Sequence, residues 1–110
     1  MRPVISVYLY QDEERFFGEG PCRLLHGIDK TGSLRSAALE MNLSYSKALR
    51  MVKRAQDILG FPLTETNIGG KGGGGSVLTE EAKQFLVKYE RYREECYEAN
   101  RRIYSEIFSK

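Results

Sequence analysis

The sequence predicts a mainly α chain with a small β component, and three observations carry that prediction. Apolar residues recur at intervals of three and four over most of 24–59 and again from residue 82 onward, the period of a helix with one buried face. Ser33, Ser44 and Thr79 stand just ahead of three such stretches, where a hydroxyl can accept a hydrogen bond from a free backbone N–H. β-branched and aromatic residues crowd only "VISVYLY" at 4–10 and two short runs on either side of a glycine tract. At 110 residues the chain is of one-domain size, with room for one appended element.

Taken in order, "VISVYLY" predicts a strand, "QDEE" a turn and "RFF" a returning strand, an N-terminal β-hairpin. A single strand followed by a loop is the other reading of this segment. Gly18, Gly20 and Pro21 break the pattern, and Pro21 suits a helix start. Leu24, Leu25 and Ile28 then mark a helical face that "KTG" ends. Ser33 caps a short helix with Leu34, Ala37, Ala38 and Met41 on one side, and "MNLS" is a tight connection. Ser44 caps the next helix, whose apolar set is Ala48, Leu49, Val52, Ala55, Ile58 and Leu59, and Gly60 stops it. "FPLTET" and "SVL" are strand candidates flanking the glycines. Thr79 caps a final helix with Glu80 and Glu81 in its first turn, where acids suit the helix dipole. Two helices joined by a short turn and followed by a two-stranded ribbon make a winged helix-turn-helix, expected over 1–78, with a long C-terminal dimerisation helix over 79–110.

The stretch "NIGGKGGGGSVLT" at 67–79 needs its own account, because six of the seven residues from Gly69 to Gly75 are glycine. A helix is excluded there, since each glycine costs about 1 kcal/mol against alanine. The tract lacks the G-x-x-x-x-G-K-[ST] order of a phosphate-binding loop and has no βαβ unit around it. It reads as the tip of a wing over 67–76, whose backbone can lie close to a sugar-phosphate chain with Lys71, Gly72 and Gly73 at its apex. A flexible linker is the plainer alternative, disfavoured by the strand-like residues on both sides.

The net charge of +2 is weakly basic, so the placement of charges matters more than their sum. Between Ser44 and Arg54 there are four cations, Lys47, Arg50, Lys53 and Arg54, and no acids. Residues near the start of such a helix reach base edges in the major groove, which points to Tyr45, Ser46, Lys47 and Arg50 on a recognition helix over about 44–59. Lys53 and Arg54, further along, suit phosphate, as do Thr31, Ser33 and Arg35 at the start of the preceding helix. A solvated basic face and plain capping by Ser33 and Ser44 are the bland readings of the same residues.

Residues 79–110 carry seven acids and seven bases, so their charge does not draw this helix to nucleic acid. Ala82, Phe85, Tyr89, Tyr92, Cys96, Ala99 and Ile103 recur at intervals of three and four, with Ile107 continuing the line. That is a heptad seam, expected to join two copies into a homodimer, with the first two turns folded back on their own domain.

Cys22 and Cys96 are far apart, and His26 has no second ligand near it along the chain, so neither a metal site nor a cofactor is expected. No apolar run approaches the roughly 20 residues that cross a bilayer, so a cytoplasmic chain with reduced thiols and no membrane contact is expected. No nucleophile–base pair or carboxylate pair suggests an enzyme.

"FGEG" at 17–20, "LLHGIDKTGSLRSAALEMNLSYSKAL" at 24–49 and "PLTETNIGGKGGGGSVLTEEAKQFLVKY" at 62–89 resemble the N-terminal DNA-binding domain of the molybdenum-responsive regulators of the ModE family. LysR-type regulators share the pattern of TGS, paired alanines and a following serine more loosely. The resemblance covers about residues 4–90 and departs at Leu49, where the family usually carries Trp. It implies binding to double-stranded DNA and dimerisation. It carries over no molybdate site, because the family's molybdate-binding domains follow the part that this chain matches. The expectation is a homodimeric, sequence-specific transcriptional regulator. The alternatives are a protein–protein module on the same scaffold, or a DNA-binding subunit that depends on a separate sensor protein.

Overall fold

The computed structural model describes residues 1–67 and 75–109. Eight elements follow one another: β1 (Leu9–Gln11), β2 (Glu14–Phe17), α1 (Glu19–Thr31), α2 (Leu34–Glu40), α3 (Tyr45–Leu59), β3 (Thr64–Asn67), β4 (Gly75–Leu78) and α4 (Glu80–Phe108). The chain is mainly α, with two antiparallel two-stranded ribbons, β1–β2 and β3–β4.

The N-terminal hairpin is shorter than "VISVYLY" predicts. Only Leu9–Gln11 pairs with Glu14–Phe17, with an irregularity between Leu9 and Tyr10. Asp12, one of the residues that tolerate the left-handed region, turns the chain there with φ 52°. Among the described residues no strand pairs with residues 1–8. They are held to α4 instead, where the Tyr89 hydroxyl donates to the Val7 carbonyl at 2.9 Å and the Tyr104 hydroxyl donates to the Met1 carbonyl at 3.2 Å. β propensity describes a side chain that fits a pleated, half-buried surface, and a helix flank satisfies part of that demand.

Helix α1 begins at Glu19, two residues before Pro21, so Pro21 lies within the first turn, where its missing N–H costs no hydrogen bond. Helices α1 and α3 end at Gly32 and Gly60, with φ of 75° and 84°, the left-handed cap that glycine adopts without a Cβ clash. The three hydroxyl caps fall where the sequence puts them: Ser33, Ser44 and Thr79 accept from Ser36, Lys47 and Ala82 N–H groups at 3.0–3.1 Å. Thr79 does more, because its buried hydroxyl also donates to the Pro62 carbonyl at 2.7 Å. The start of α4 is thereby fixed to the connection leaving α3. Gln56 fixes the same connection from the other side, its side-chain oxygen accepting from Leu63 N–H at 2.9 Å.

Small residues let the helices approach. Ala37, Ala38, Ala48, Ala55 and Ala82 are all buried, and a Cβ built on Gly27 would stand 2.9 Å from that of Ala37, so α1 and α2 meet without room for a larger side chain. The glycine at position 75 has a similar cause. Ser76 N–H donates to the Gly32 carbonyl at 2.8 Å, and a Cβ on Gly75 would collide with that carbonyl oxygen. One strand of the β3–β4 wing is thus laid directly on the turn between α1 and α2.

The core gathers Phe17, Leu24, Leu25, Ile28, Val52, Leu63, Leu78 and Leu86. Phe17 is its hinge with α4, meeting the Phe85 ring edge-on at 4.8 Å and the Tyr89 ring at 4.9 Å. This corrects the expected seam: Phe85 and Tyr89 face inward to their own domain, Tyr89 being only 3 % exposed. The heptad spacing is real, but its first members are consumed by the fold. Beyond Tyr89, α4 projects from the body, and the molecule measures 61 × 28 × 24 Å.

Replacing Phe17 by Ala removes both aromatic contacts and leaves a cavity. It should lower stability by about 3–5 kcal/mol, read from the urea midpoint of helical circular dichroism. A loss under about 1 kcal/mol would mean that Phe17 does not anchor α4.

Candidate nucleic-acid interface

The turn between α2 and α3 is built by backbone hydrogen bonds. Met41 and Leu43 N–H groups both donate to the Ala38 carbonyl, Asn42 N–H donates to Leu39, and Asn42 takes φ 56°. α2 and α3 consequently start close to each other. Arg35, in the first turn of α2, lies over the ring of Tyr45, the first residue of α3, at 4.6 Å. Around this pair Ser44, Ser46, Lys47, Arg50 and Lys53 are exposed, while Ala48, Val52 and Ala55 point into the core. Among the described residues Lys47, Arg50 and Lys53 form no ion pair. The result is a ridge with an aromatic ring, hydroxyls and cations at the start of α3, adjoining the free N–H groups of two helix starts.

Two predicted residues sit differently. Arg54 is turned to the N-terminal hairpin, where Glu14 meets it at 3.4 Å, so its charge already has a carboxylate beside it. Thr31 points inward, donating to the Gly27 carbonyl at 2.7 Å while accepting from Ser33 N–H at 3.2 Å. Its hydroxyl shapes the entry to α2. Ser33 is half-buried and occupied as a cap. Lys71, Gly72 and Gly73 lie outside the described residues.

Glu19 is engaged by Arg93 of α4 at 3.1 Å. Arg93 is a hub that the sequence reading missed. Its guanidinium also meets Glu94 at 3.3 Å and Glu90 at 3.7 Å, points at Cys22 Sγ at 3.9 Å, and lies over the Tyr89 ring. Its contact with Glu19 spans 74 positions, a separation at which no local pattern can announce it. His26 is exposed, with Glu90 beside it at 3.2 Å and Cys22 near, neighbours that its position along the chain does not announce. Burial, followed by the negative charge of Glu90, pushes the Cys22 thiol up to about 11, with Arg93 pulling the other way. Burial is also the leading reason that the Tyr89 hydroxyl rises to about 12.

Of the expected seam, Tyr92, Ile103 and Ile107 remain uncovered, with Phe108 next to them, and these four are between 48 % and 68 % exposed. Cys96 and Ala99 are half-buried. Tyr104 stacks on Phe108 with ring centroids 5.1 Å apart. No helix among the described residues is long and apolar enough to cross a membrane.

Comparison with known proteins agrees with this architecture. A crystal structure of a LysR family transcriptional regulator superposes with a TM-score of 0.59 over 83 % of this chain and 30 % of its own, at 14 % identity, which is a likeness of fold. The molybdenum-pterin-binding protein MopB of Rhodobacter capsulatus is 39 % identical over 66 residues, 60 % of this chain and 24 % of its own length. The transcriptional regulator ModE of Haemophilus influenzae is 40 % identical over 68 residues, 62 % of this chain and 27 % of its own length. The chain therefore spans about a quarter of the length of these relatives, in agreement with the helix-turn-helix domain of the ModE family. The family model described as bacterial regulatory helix-turn-helix protein, lysR family, matches residues 22–83. That stretch runs from α1 through the wing to the first turn of α4 and is more than half of the chain, which belongs to this family of bacterial regulatory helix-turn-helix proteins.

Proposed function

We propose that the chain is a homodimeric regulator that binds double-stranded DNA by laying the first turns of α3 in the major groove. The observation that carries the reading is the ridge of Tyr45, Ser46, Lys47 and Arg50, exposed together on the helix that follows the tight turn. Lys47 and Arg50 supply donors for guanine O6 and N7, and Ser46 can donate to or accept from a base edge. Ser44, Arg35 and Lys53 flank the ridge and take phosphate, together with the start of α2 at Ser33. Arg54 joins them only by exchanging Glu14 for phosphate, a small loss because an exposed pair contributes about 0–1 kcal/mol. Lys71, Gly72 and Gly73 extend the contact along the backbone or into the minor groove. Thr31 acts from inside, by setting the position of Ser33.

The projecting half of α4 is the dimer arm. Tyr92, Ile103, Ile107 and Phe108 form more apolar surface than a lone helix leaves in water, with Cys96 and Ala99 completing the line. Two copies joined there would set two α3 ridges a whole number of DNA turns apart, roughly 34 Å each. The family membership, and the regulators among the relatives, favour this function over a protein–protein module.

The double variant Lys47→Glu/Arg50→Glu should lose on the order of a hundredfold in affinity for a site selected from random duplexes, with helical content unchanged. Undiminished affinity would remove α3 as the reading element. The double variant Ile103→Ser/Ile107→Ser, on exposed positions, should sediment as a monomer while the parent sediments as a dimer. A variant that remains dimeric would place the interface elsewhere.

A further inference from the structure

Cys22 and His26 lie one turn apart on α1, and Glu90 reaches them from α4. Their ligand atoms lie within 4.8 Å of one another. Three atoms so spaced always have a common point within about 2.8 Å of each, and zinc bonds of about 2.0–2.3 Å need only a small further closure. His26 is exposed and Glu90 half-buried, so both can turn to provide it. The three line a recess of about 350 Å³, shared with Glu19, Gly27 and Arg93.

We propose that Cys22, His26 and Glu90 form a binding site for a borderline divalent cation of the zinc class, and that the bound ion ties α1 to α4. Thiolate, imidazole and carboxylate together are a donor set for such an ion, and the recess leaves a fourth position for water. As the Sγ–metal bond forms, the Cys22 thiol gives its proton to solvent and the ion sheds water.

Arg93 fits the arrangement. Glu90 turns Oε1 to His26 and Oε2 to Arg93, so one oxygen can bind the ion while the other keeps its guanidinium partner. Ligating carboxylates are commonly held in this way by an outer partner. Glu90 directly follows Tyr89, the last buried residue of α4, where the helix leaves the body. An ion there would fix the angle at which the projecting arm departs, which is how metal could act on the spacing of two DNA-binding units.

The test is a cobalt(II) titration of the full-length, reduced, chelator-treated protein. One equivalent per chain should produce visible d–d bands of low-coordinate cobalt and a near-ultraviolet thiolate-to-cobalt band, and zinc should bleach both. Cys96→Ser should leave the spectrum intact. His26→Ala and Glu90→Gln, which keep the core, should each weaken cobalt binding at least tenfold, about the smallest loss seen when even an outer partner of a ligand is removed. Cys22→Ser should abolish the thiolate band. Absence of the bands in the parent, their survival unweakened in His26→Ala, or their loss in Cys96→Ser would each overturn the site.

Discussion

The edge-on contacts of Phe17 with Phe85 and Tyr89 are the constraint on which the rest of the molecule depends. They bring the end of β2 against the second and third turns of α4, and the core fills in around them. Without them the long helix would hold to the domain through buried Ala82 and Leu86, the Thr79 cap and scattered surface groups. With them, the first three turns of α4 are packed against the unit that carries α3. Buried aromatic pairs of this geometry contribute about 0.5–1.5 kcal/mol beyond the area they cover. That helps explain why the first part of the heptad line serves the monomer and only the remainder is free for a partner.

Much of the fold was legible because local signals and global architecture agree. Three hydroxyl caps, the Gly60 stop and a three-and-four apolar period delimit α2, α3 and α4 to within a residue or two. The glycine at position 75 was legible only as part of a tract. Its particular reason, the approach of β4 to the Gly32 carbonyl, is a contact between distant segments. The same holds for residues 1–8. Their composition signals a strand, but what they meet is a helix and two tyrosine hydroxyls.

Site residues divide along the same line. The exposure of Tyr45, Ser46, Lys47 and Arg50 follows from the period of α3, since the core takes Ala48, Val52 and Ala55. The fate of Arg54 and Thr31 does not, because each is decided by particular partners, Glu14 for the first and the backbone of Gly27 and Ser33 for the second. The flank built by Cys22, His26, Glu90 and Arg93 was illegible for a stronger reason. Its members come from helices at opposite ends of the chain and share no local motif. The two charged regions now have separate places: exposed cations stand at the start of α3, while Arg93 and its carboxylates occupy the junction of α1 with α4.

The central claim is that the starts of α2 and α3 form one surface that meets DNA. The most direct measurement is the change in backbone amide signals of the nitrogen-15-labelled protein as a duplex is added. The largest changes are expected at residues 33–36 and 44–50, with much smaller ones at residues 1–8, which line α4. Changes concentrated on the projecting half of α4, or none at the starts of α2 and α3, would contradict it.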